Sequence, residues 1–338
     1  MLTLEIKDKK INLIGDPHLG KKFGGVPLHR TGERETMQMA QFKQELNAEA
    51  DITIMVGDLF DTFLVTNEVL VETYNAVVEA TTNNPKRIFI FISGNHDISR
   101  DSDVLSSFHV LVEMLQAYPR VKTFMDTAPY AVDGLTMLLA PYSMFKTAKE
   151  AISQYVDKFF DLVVGHWDTL EIAGPHNLMP IKELGMMSNT IVSGHEHAPY
   201  KFYITTKGER TAEVADAHAT VHGTGSMQPY SHGEDPHNKM YMTLTLEQVI
   251  PALEKDPDAF KDKAVRLVLG PNEQPIDFNC LQFSIKRVTV EQKEELEVTL
   301  GDFDFKELFM ETFKENNVPD DITGIYWEKY KQKANDDN

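Results

Sequence analysis

Five short apolar runs constrain the fold of this 338-residue chain more than any other feature of its sequence. Each run is rich in Ile, Val, Phe or Leu, is too short for a helix and is ended by glycine and polar residues, which is typical of a buried strand. Helical patterns at 33–50 and 69–81 separate the first three runs. Strands alternating with helices predict a layered α/β fold. The runs are 11–14, 52–56, 87–92, 162–164 and 190–192.

Weaker patterns extend this prediction towards residue 250. Further strands are expected at 136–140, 201–205, 213–221 and near 239–246. A helix is expected at 102–117, where apolar residues recur at spacings of three and four. That stripe indicates core packing or, as an alternative, a subunit interface. Its residues are Leu105, Phe108, Val112 and Leu115.

The chain beyond residue 250 has a different composition. Residues 251–262 are rich in Pro, Asp, Glu and Lys and are predicted to be a linker. Strands predicted at 264–269, 281–290 and 295–300 suggest a small α+β cap, and two amphipathic helices are expected in the tail. The tail either docks on its own domain or holds a partner helix. The predicted domains are 1–250 (catalytic), 263–302 (cap) and 303–338 (helical tail).

Composition and charge exclude several classes of protein. No apolar run approaches the roughly 20 residues of a membrane helix, and the amino terminus lacks a signal-peptide core, so we expect a cytoplasmic protein without a membrane partner. Cys280 is the only cysteine, which rules out an intrachain disulfide and a thiolate zinc cluster. The net charge of −19 argues against a basic DNA-coating protein, although bound cations can reverse the local field at a site.

Side chains that can bind metals follow each of the five runs directly. Because strand ends meet at one edge of such a sheet, the five clusters are expected to form one site. Carboxylate, imidazole and amide ligands without sulfur suit manganese, iron or zinc better than calcium. The clusters are Gly15-Asp16-Pro17-His18, Gly57-Asp58-Leu59-Phe60-Asp61, Gly94-Asn95-His96-Asp97, Gly165-His166 and Gly194-His195-Glu196-His197.

The number of candidate ligands indicates two metal ions. Seven ligands exceed the need of one ion, but they supply four contacts to each of two ions if one carboxylate is shared. A centre of this kind activates a hydroxide and neutralises the phosphate during phosphoester hydrolysis. His96, beside the candidate ligand Asn95, is placed to protonate the leaving group, and Asp97 is expected to orient its imidazole.

These clusters, in this order and spacing, resemble the signature of calcineurin-like metallophosphoesterases over about residues 10 to 200. The resemblance implies a layered metallophosphoesterase sandwich in which Asp58 bridges two divalent ions. It also implies that His96 is the proton donor. Asp16, His18 and His197 would complete one metal site, and Asn95, His166 and His195 the other.

Finer features are similar to the SbcD-type DNA repair nucleases. These are Asp16-Pro17-His18-Leu19-Gly20, Gly57-Asp58-Leu59-Phe60-Asp61 and the stretch from Gly225 to Glu234. The chain length, Gly165-His166-Trp167 and the tail look especially like the nuclease subunits of T-even-type phage recombination endonucleases, which would place the protein in a host cytoplasm. Glu196 departs from the family pattern, which often has an uncharged residue there.

This resemblance implies a manganese-dependent DNA exo- or endonuclease subunit for recombination and repair. In that family the subunit forms a homodimer and pairs with an SbcC-type coiled-coil ATPase. One alternative is a small-molecule phosphodiesterase or protein phosphatase, which the acidic composition favours. The other is a dimerising scaffold that binds the ATPase through residues 303–330.

Overall fold

A computed structural model of the chain describes residues 1–101, 104–170, 174–235 and 240–288. Met1–Val268 together with Pro275–Lys286 form one compact unit, and 269–274 with 287–288 belong to a second. The described part is mixed α/β, as predicted. The predicted strand at 295–300, the end of the cap and the helical tail at 303–338 lie outside the described residues.

The first sheet has five strands in the spatial order β1-β2-β3-β4-β5. Strands β2 to β5 run parallel, and β1 is antiparallel to β2. Three apolar runs of the sequence are therefore adjacent parallel strands, as the α/β pattern predicts. The bounds are β1 Leu2–Ile6, β2 Lys9–Ile14, β3 Ile52–Val56, β4 Ile88–Ile92 and β5 Val121–Phe124.

The second sheet has seven strands in the order β11-β10-β12-β9-β8-β7-β6. Its centre, β12-β9-β8-β7, is parallel, while β6 and β10 are each antiparallel to their inner neighbours. The bounds are β6 Ala128–Val132, β7 Leu135–Ala140, β8 Leu162–His166, β9 Thr190–Gly194, β10 Tyr200–Ile204, β11 Arg210–Thr211 and β12 Ala219–Gly223.

The two sheets pack face to face around a core of aliphatic side chains. Side chains alternate along each strand, so Ile54 of β3 lies in this core while its neighbour Met55 packs on the opposite face against helices. Leu139 and Val164 of the second sheet lie in the same core as Ile54. Because these strands are buried on both faces, their sequences are unbroken apolar runs and do not alternate between apolar and polar residues.

Helices cover the outer faces of both sheets. Helices α1, α2 and α3 pack on the first sheet, and α4 and α5 pack on the second. The start of α3 was predicted too early, because Ser106 caps the helix by accepting from the His109 amide. The bounds are α1 Glu33–Asn47, α2 Asn67–Asn83, α3 Ser107–Leu115, α4 Ala148–Ile152, α5 Ile181–Met187 and α6 Leu246–Lys255.

The apolar stripe of α3 packs in the core of the domain. Of the two interpretations of this stripe, core packing and a subunit interface, the first is therefore the one observed. Phe108 and Leu115 are fully buried against α1, α2 and the first sheet. Leu105 precedes the helix and is 68% exposed. In the described part of the chain, no helix has the length and apolar character needed to cross a bilayer.

A third sheet joins residues on both sides of the predicted linker. Strands β13 Tyr241–Thr245, β14 Ala264–Leu269 and β15 Gln282–Arg287 lie in this order, and we call them the C-terminal sheet. The linker prediction for 251–262 is wrong in its first part, where α6 continues to Lys255. The helix forms because Thr245 and Gln248 make a capping box and Val249 is fully buried, which outweighs Pro251.

Candidate metal centre

The predicted ligands follow the carboxyl ends of five strands in two sheets. Asp16 and His18 follow β2, Asp58 follows β3 and Asn95 follows β4, all in the first sheet. In the second sheet, His166 is the last residue of β8, and His195 and His197 follow β9. Face-to-face packing of the sheets brings these strand ends together, as the sequence predicted.

One group of side chains, the first ligand group, consists of Asp16, His18 and His197. One ligand atom from each lies within 4.8 Å of the others. The two imidazoles meet at a distance of 3.0 Å between His18 Nε2 and His197 Nε2. Asp16 and His18 are fully buried or nearly so, and His197 is half-buried.

The second ligand group consists of Asn95, His166 and His195. The Asn95 Oδ1 atom lies 3.0 Å from His166 Nε2 and 2.9 Å from His195 Nδ1. Those two imidazole nitrogens are themselves 3.2 Å apart. Three atoms with lone pairs therefore point at one small volume.

Asp58 lies between the two groups and reaches both with one oxygen. Its Oδ2 atom is 3.3 Å from His166 Nε2 and 3.8 Å from His18 Nε2. The structure thus brings together all seven predicted ligands and arranges them in the two sets implied by the resemblance.

The hydrogen bonds behind the histidines fit this centre to cations. His166 Nδ1 lies 2.9 Å from the Val56 carbonyl, and His195 Nε2 lies 2.8 Å from the Asp168 carboxylate. Since these acceptors take the imidazole N–H, the opposite nitrogens present lone pairs to Asn95 and Asp58. An imidazole nitrogen in this position can take up either a proton or a divalent cation, and a cation would satisfy several of these atoms at once.

The buried carboxylates of the centre have a strong effect on the neighbouring imidazole. Burial lowers the pKa of His166, but the Asp58 and Asp16 carboxylates outweigh burial and raise it to about 10. Burial raises the pKa of Asp16 to about 7 against the opposing charge of His166. His166 and Asp16 therefore bind protons tightly at atoms for which a metal ion would compete.

Glycine allows the ligand-bearing loops to approach closely. A Cβ atom on Gly57 would lie 2.3 Å from His166 Nδ1, and one on Gly94 would lie 2.2 Å from Asp58 Oδ1. The next residue in the β3 loop, Asp58, itself has a φ of 47°, in the left-handed region that non-glycine residues rarely adopt. Backbone strain of this kind is typical of functional sites.

His96, the predicted proton donor, lies at the exposed edge of the centre. Its amide donates to Asp58 Oδ1 at 2.8 Å, which fixes its backbone beside the shared carboxylate. Its ring nitrogen Nδ1 lies 2.6 Å from the Asp61 carbonyl oxygen. With the Nδ1 proton donated to that carbonyl, Nε2 is the nitrogen that can exchange a proton with a substrate.

The role predicted for Asp97 is wrong. Its carboxylate accepts hydrogen bonds from the amides of Leu59, Phe60 and Gly94 at 3.1, 3.0 and 2.9 Å, and the side chain is fully buried. It therefore ties the loop after β3 to the loop after β4. The His96 imidazole is oriented by the Asp61 carbonyl instead, a contact that side-chain patterns do not reveal.

Three further residues support the ligands and were missed or assigned no role from the sequence. Asp168 binds His195, Glu234 Oε2 lies 3.3 Å from His197 Nδ1, and the Tyr230 ring packs on His18 and His197 with centroids 5.3 and 5.5 Å away. Tyr230 and Glu234 lie in the stretch that carries the nuclease resemblance, which was the available signal. Asp168 follows His166 by two positions and had no such signal.

Glu196 does not face the metal ligands. Its carboxylate accepts from the Thr169 amide at 2.7 Å and from the Thr169 hydroxyl. The residue that departs from the family pattern therefore holds the loop after β8 through Thr169.

Two histidine ligand groups that share a carboxylate, at the strand ends of a two-sheet α/β sandwich, define a metal-dependent phosphoesterase. The family model for calcineurin-like phosphoesterases matches residues 9–199, and the chain belongs to this family. Membership indicates metal-dependent phosphoester hydrolysis. None of the curated proteins compared with the chain matches it.

Metal binding is expected to release protons and to strengthen with pH. Protons compete for His166, with its pKa raised to about 10, and for Asp16, with its pKa raised to about 7, so acid weakens binding. The apparent Mn²⁺ affinity should rise by about tenfold per pH unit for each displaced proton between pH 6 and 8. Calorimetric titration in two buffers of different ionisation enthalpy measures the proton count. His222→Gln, outside the centre, should leave the count unchanged, and a pH-independent affinity would contradict the competition.

The Asp97→Asn substitution should destabilise the fold and leave intact the contact with the Asp61 carbonyl that orients the His96 imidazole. An amide oxygen replaces only part of a carboxylate that accepts from three backbone amides, so the free energy of unfolding should fall by about 3 kcal/mol. Urea denaturation measures this loss, and the surface substitution Asp216→Asn should stay within about 0.5 kcal/mol of wild type. An altered pH–rate profile at unchanged stability would restore the orienting role for Asp97.

Proposed function

We propose that this protein is a manganese-dependent DNA nuclease subunit of a recombination and repair complex. The observation that carries the proposal is the single Asp58 oxygen shared by two ligand groups, with the exposed His96 beside it. In phosphodiester hydrolysis the leaving alkoxide must take up a proton, and this arrangement places a proton donor beside the shared carboxylate.

Each part of the centre has a distinct task in that reaction. Bound divalent ions supply charge neutralisation for the phosphate and lower the pKa of a water. Asp16, His18 and His197 would hold one ion and the second ligand group the other, and Asp58 is placed to serve both. His96 Nε2 donates a proton to the leaving alkoxide, while the Asp61 carbonyl keeps its ring in place.

The stretch from Gly225 to Glu234 supports DNA as the substrate. The resemblance to DNA repair nucleases rests in part on this stretch, and it packs directly against the first ligand group. Tyr230 donates from its hydroxyl to the Pro17 carbonyl at 2.6 Å, and Glu234 contacts His197. The stretch on which the nuclease resemblance partly rests therefore lines the metal centre and is not remote from it.

The overall charge of −19 is unusual for a subunit that binds a polyanion alone. We propose that the SbcC-type ATPase partner holds the DNA and that this chain supplies the cutting site. Locally, Lys21 lies over the Tyr230 ring at 5.2 Å and pairs with Asp61 at 2.9 Å, so one cation stands beside the first ligand group. The tail proposed to bind the partner lies outside the described residues.

The same charge favours one competing function. A small-molecule phosphodiesterase or a protein phosphatase needs no long-range attraction for a polyanion, and the metal centre suits either reaction. Cleavage of a cyclic nucleotide or a phosphopeptide, with DNA left intact, would select this alternative. Association with the ATPase without any hydrolysis would select the scaffold.

The purified chain with Mn²⁺ should degrade single- or double-stranded DNA, alone or with its ATPase partner. Failure on every DNA substrate in both settings would overturn the nuclease proposal.

His96→Ala should lower kcat on DNA by about 10²–10⁴-fold, because the leaving alkoxide loses its proton donor. Hydrolysis of bis(p-nitrophenyl) phosphate should fall far less, because nitrophenolate leaves without a proton. Metal analysis of the same samples should give two ions per chain in wild type and variant alike. Loss of metal in the variant would make His96 a ligand.

We also propose that the chain forms a homodimer through an exposed apolar surface at the start of α3. This α3 patch consists of Phe63, Leu64, Leu105 and Val110, which are 38 to 68% exposed. The Ser107 amide donates to the Phe63 carbonyl at 2.8 Å, so the two contributing segments adjoin. Contiguous exposed apolar side chains commonly mark protein interfaces.

A charge placed in the α3 patch should therefore disrupt the dimer. Leu105→Glu should convert a dimer to a monomer in light scattering coupled to size-exclusion chromatography, because the interface would bury an unpaired carboxylate. Val214→Glu is a matched control, since Val214 is 67% exposed in a separate short helix, Val214–Asp216. A Leu105→Glu protein with the wild-type mass in solution would exclude this surface.

A further inference from the structure

Arg34 is a fully buried cation outside the metal centre. It lies in the first turn of α1 and is 0% exposed. Among the described residues, no carboxylate lies within ion-pair distance of its guanidinium, and its Nε atom has no hydrogen-bond partner. A buried charge without a counterion is costly, so a residue of this kind needs an explanation.

Aromatic rings and neutral oxygens replace the missing counterion. The Arg34 guanidinium carbon lies 4.0 Å from the centre of the Phe23 ring and 5.6 Å from that of Tyr241. Arg34 Nη1 donates to the Tyr241 hydroxyl and to Gln282 Oε1, each at 3.2 Å. These contacts join α1 to β13 and β15 of the C-terminal sheet.

The same guanidinium holds the segment that supports the metal ligands. Arg34 Nη2 donates to the Pro229 carbonyl at 3.5 Å. The Tyr241 hydroxyl, which accepts from Arg34, donates in turn to the Tyr230 carbonyl at 2.9 Å. Two consecutive carbonyls of the chain are thus fixed through one side chain.

Tyr230, which is fixed in this way, contacts every member of the first ligand group directly or through one neighbour. Its ring packs on His18 and His197, and its hydroxyl donates to the backbone carbonyls of Asp16 and Pro17 at 3.1 and 2.6 Å. Its amide donates to Glu234 Oε2 at 2.8 Å, and that oxygen is the one that contacts His197. Displacing Tyr230 would therefore disturb three ligands at once.

The second ligand group has its own supports. His166 and His195 are held by the Val56 carbonyl and by Asp168, which belong to the two large sheets and their loops. The contacts of Arg34 reach this group only indirectly, through the His195 amide, which donates to the Asp16 carboxylate at 3.0 Å.

We propose that Arg34 is a positioning residue that couples the C-terminal sheet to the first ligand group through Tyr241 and Tyr230. A displacement of β13 or β15 then changes the affinity of the metal position at the first ligand group more than that of the other position. The proposal rests on the proposed two-metal function, and it adds a route by which events at the C-terminal sheet control the centre.

The chain continues for 50 residues beyond Val288, directly after β15. In β15, Gln282 Oε1 accepts from Arg34 Nη1, and the Phe283 amide donates to the Gly25 carbonyl at 2.7 Å. The loop at Gly25 also carries Phe23, which stacks on Arg34. Both contacts of β15 therefore lead to the same guanidinium.

Calorimetric titration of the full chain with Mn²⁺ tests this coupling in two backgrounds. His195→Ala leaves the first ligand group intact, and His197→Ala leaves the second. Adding Arg34→Met should weaken binding of the remaining ion by about tenfold in the His195→Ala background, which is the lower end for outer partners of metal ligands. In the His197→Ala background, the same change should weaken binding by less than about twofold, because Arg34 reaches the second ligand group only indirectly.

Three variants separate positioning from general stability. Arg34→Lys keeps the charge and should give an intermediate loss, and Tyr241→Phe, which removes only the linking hydroxyl, should weaken the same ion. Arg87→Met is the matched control, because Arg87 is 5% exposed and donates to the carbonyls of Leu46 and Ala50 away from the centre. It should lower the melting temperature and leave both affinities unchanged.

Equal losses in both backgrounds, or the same loss from Arg87→Met, would overturn the proposal. Unchanged binding in the His195→Ala background would also overturn it. If Arg34→Met does not fold, Tyr241→Phe provides the same test with the same expected result. A chain that binds two ions but does not cleave DNA would refute the nuclease function and leave this measurement valid.

Discussion

The crowding of seven polar ligand side chains into one small volume is the constraint on which the rest of this structure depends. Asn95, His166 and His195 meet within 3.2 Å, and His18 and His197 meet at 3.0 Å. Such a cluster must be held in place by contacts on the far side of each ligand. The Val56 carbonyl and Asp168 hold the imidazoles of His166 and His195 in place. Asp97 fixes the loops by accepting from three backbone amides.

The hydrophobic core between the sheets fixes where those donors can stand. Ile54 and Val164, from different sheets, pack in one core and precede ligand-bearing loops. Close packing of branched side chains leaves little freedom of position. The glycines at the strand ends then allow the loops to approach closer than any Cβ would permit. Rigid strands with compact loops thus place ligands from distant segments at contact distance.

Elements with strong local signals could be predicted from the sequence. The strand Ile52–Val56 was predicted at its observed bounds because both of its faces are buried. The meeting of the ligands at one site was predicted from the position of each cluster after a strand, although those strands belong to two sheets. The strands Leu2–Ile6 and Ala128–Val132, and helices α4 to α6, were missed because they are short or half-exposed. Glu213–Val221 was expected to be one strand, but only Ala219–Gly223 pairs in the sheet.

The parts of the site that escaped prediction depend on contacts between segments far apart in sequence. Asp97 looks like a partner of its neighbour His96, yet it binds amides from a loop almost 40 positions away. Asp168 and the Asp61 carbonyl carry no pattern of their own, since their importance comes from the imidazole that each one meets. Arg34 was invisible for the same reason, as its partners lie about 200 positions later.

The distance along the chain between ligands has a consequence for biosynthesis. His18 and His197 are 179 positions apart, and Tyr230 and Gln282 are translated later still. Local helices form early, whereas pairings of such long range close late in folding. A nascent polypeptide therefore cannot assemble the first ligand group before His197 has been translated, and Tyr230 and Gln282 can support that group only later. Cation uptake by the complete pair thus depends on the second half of the chain.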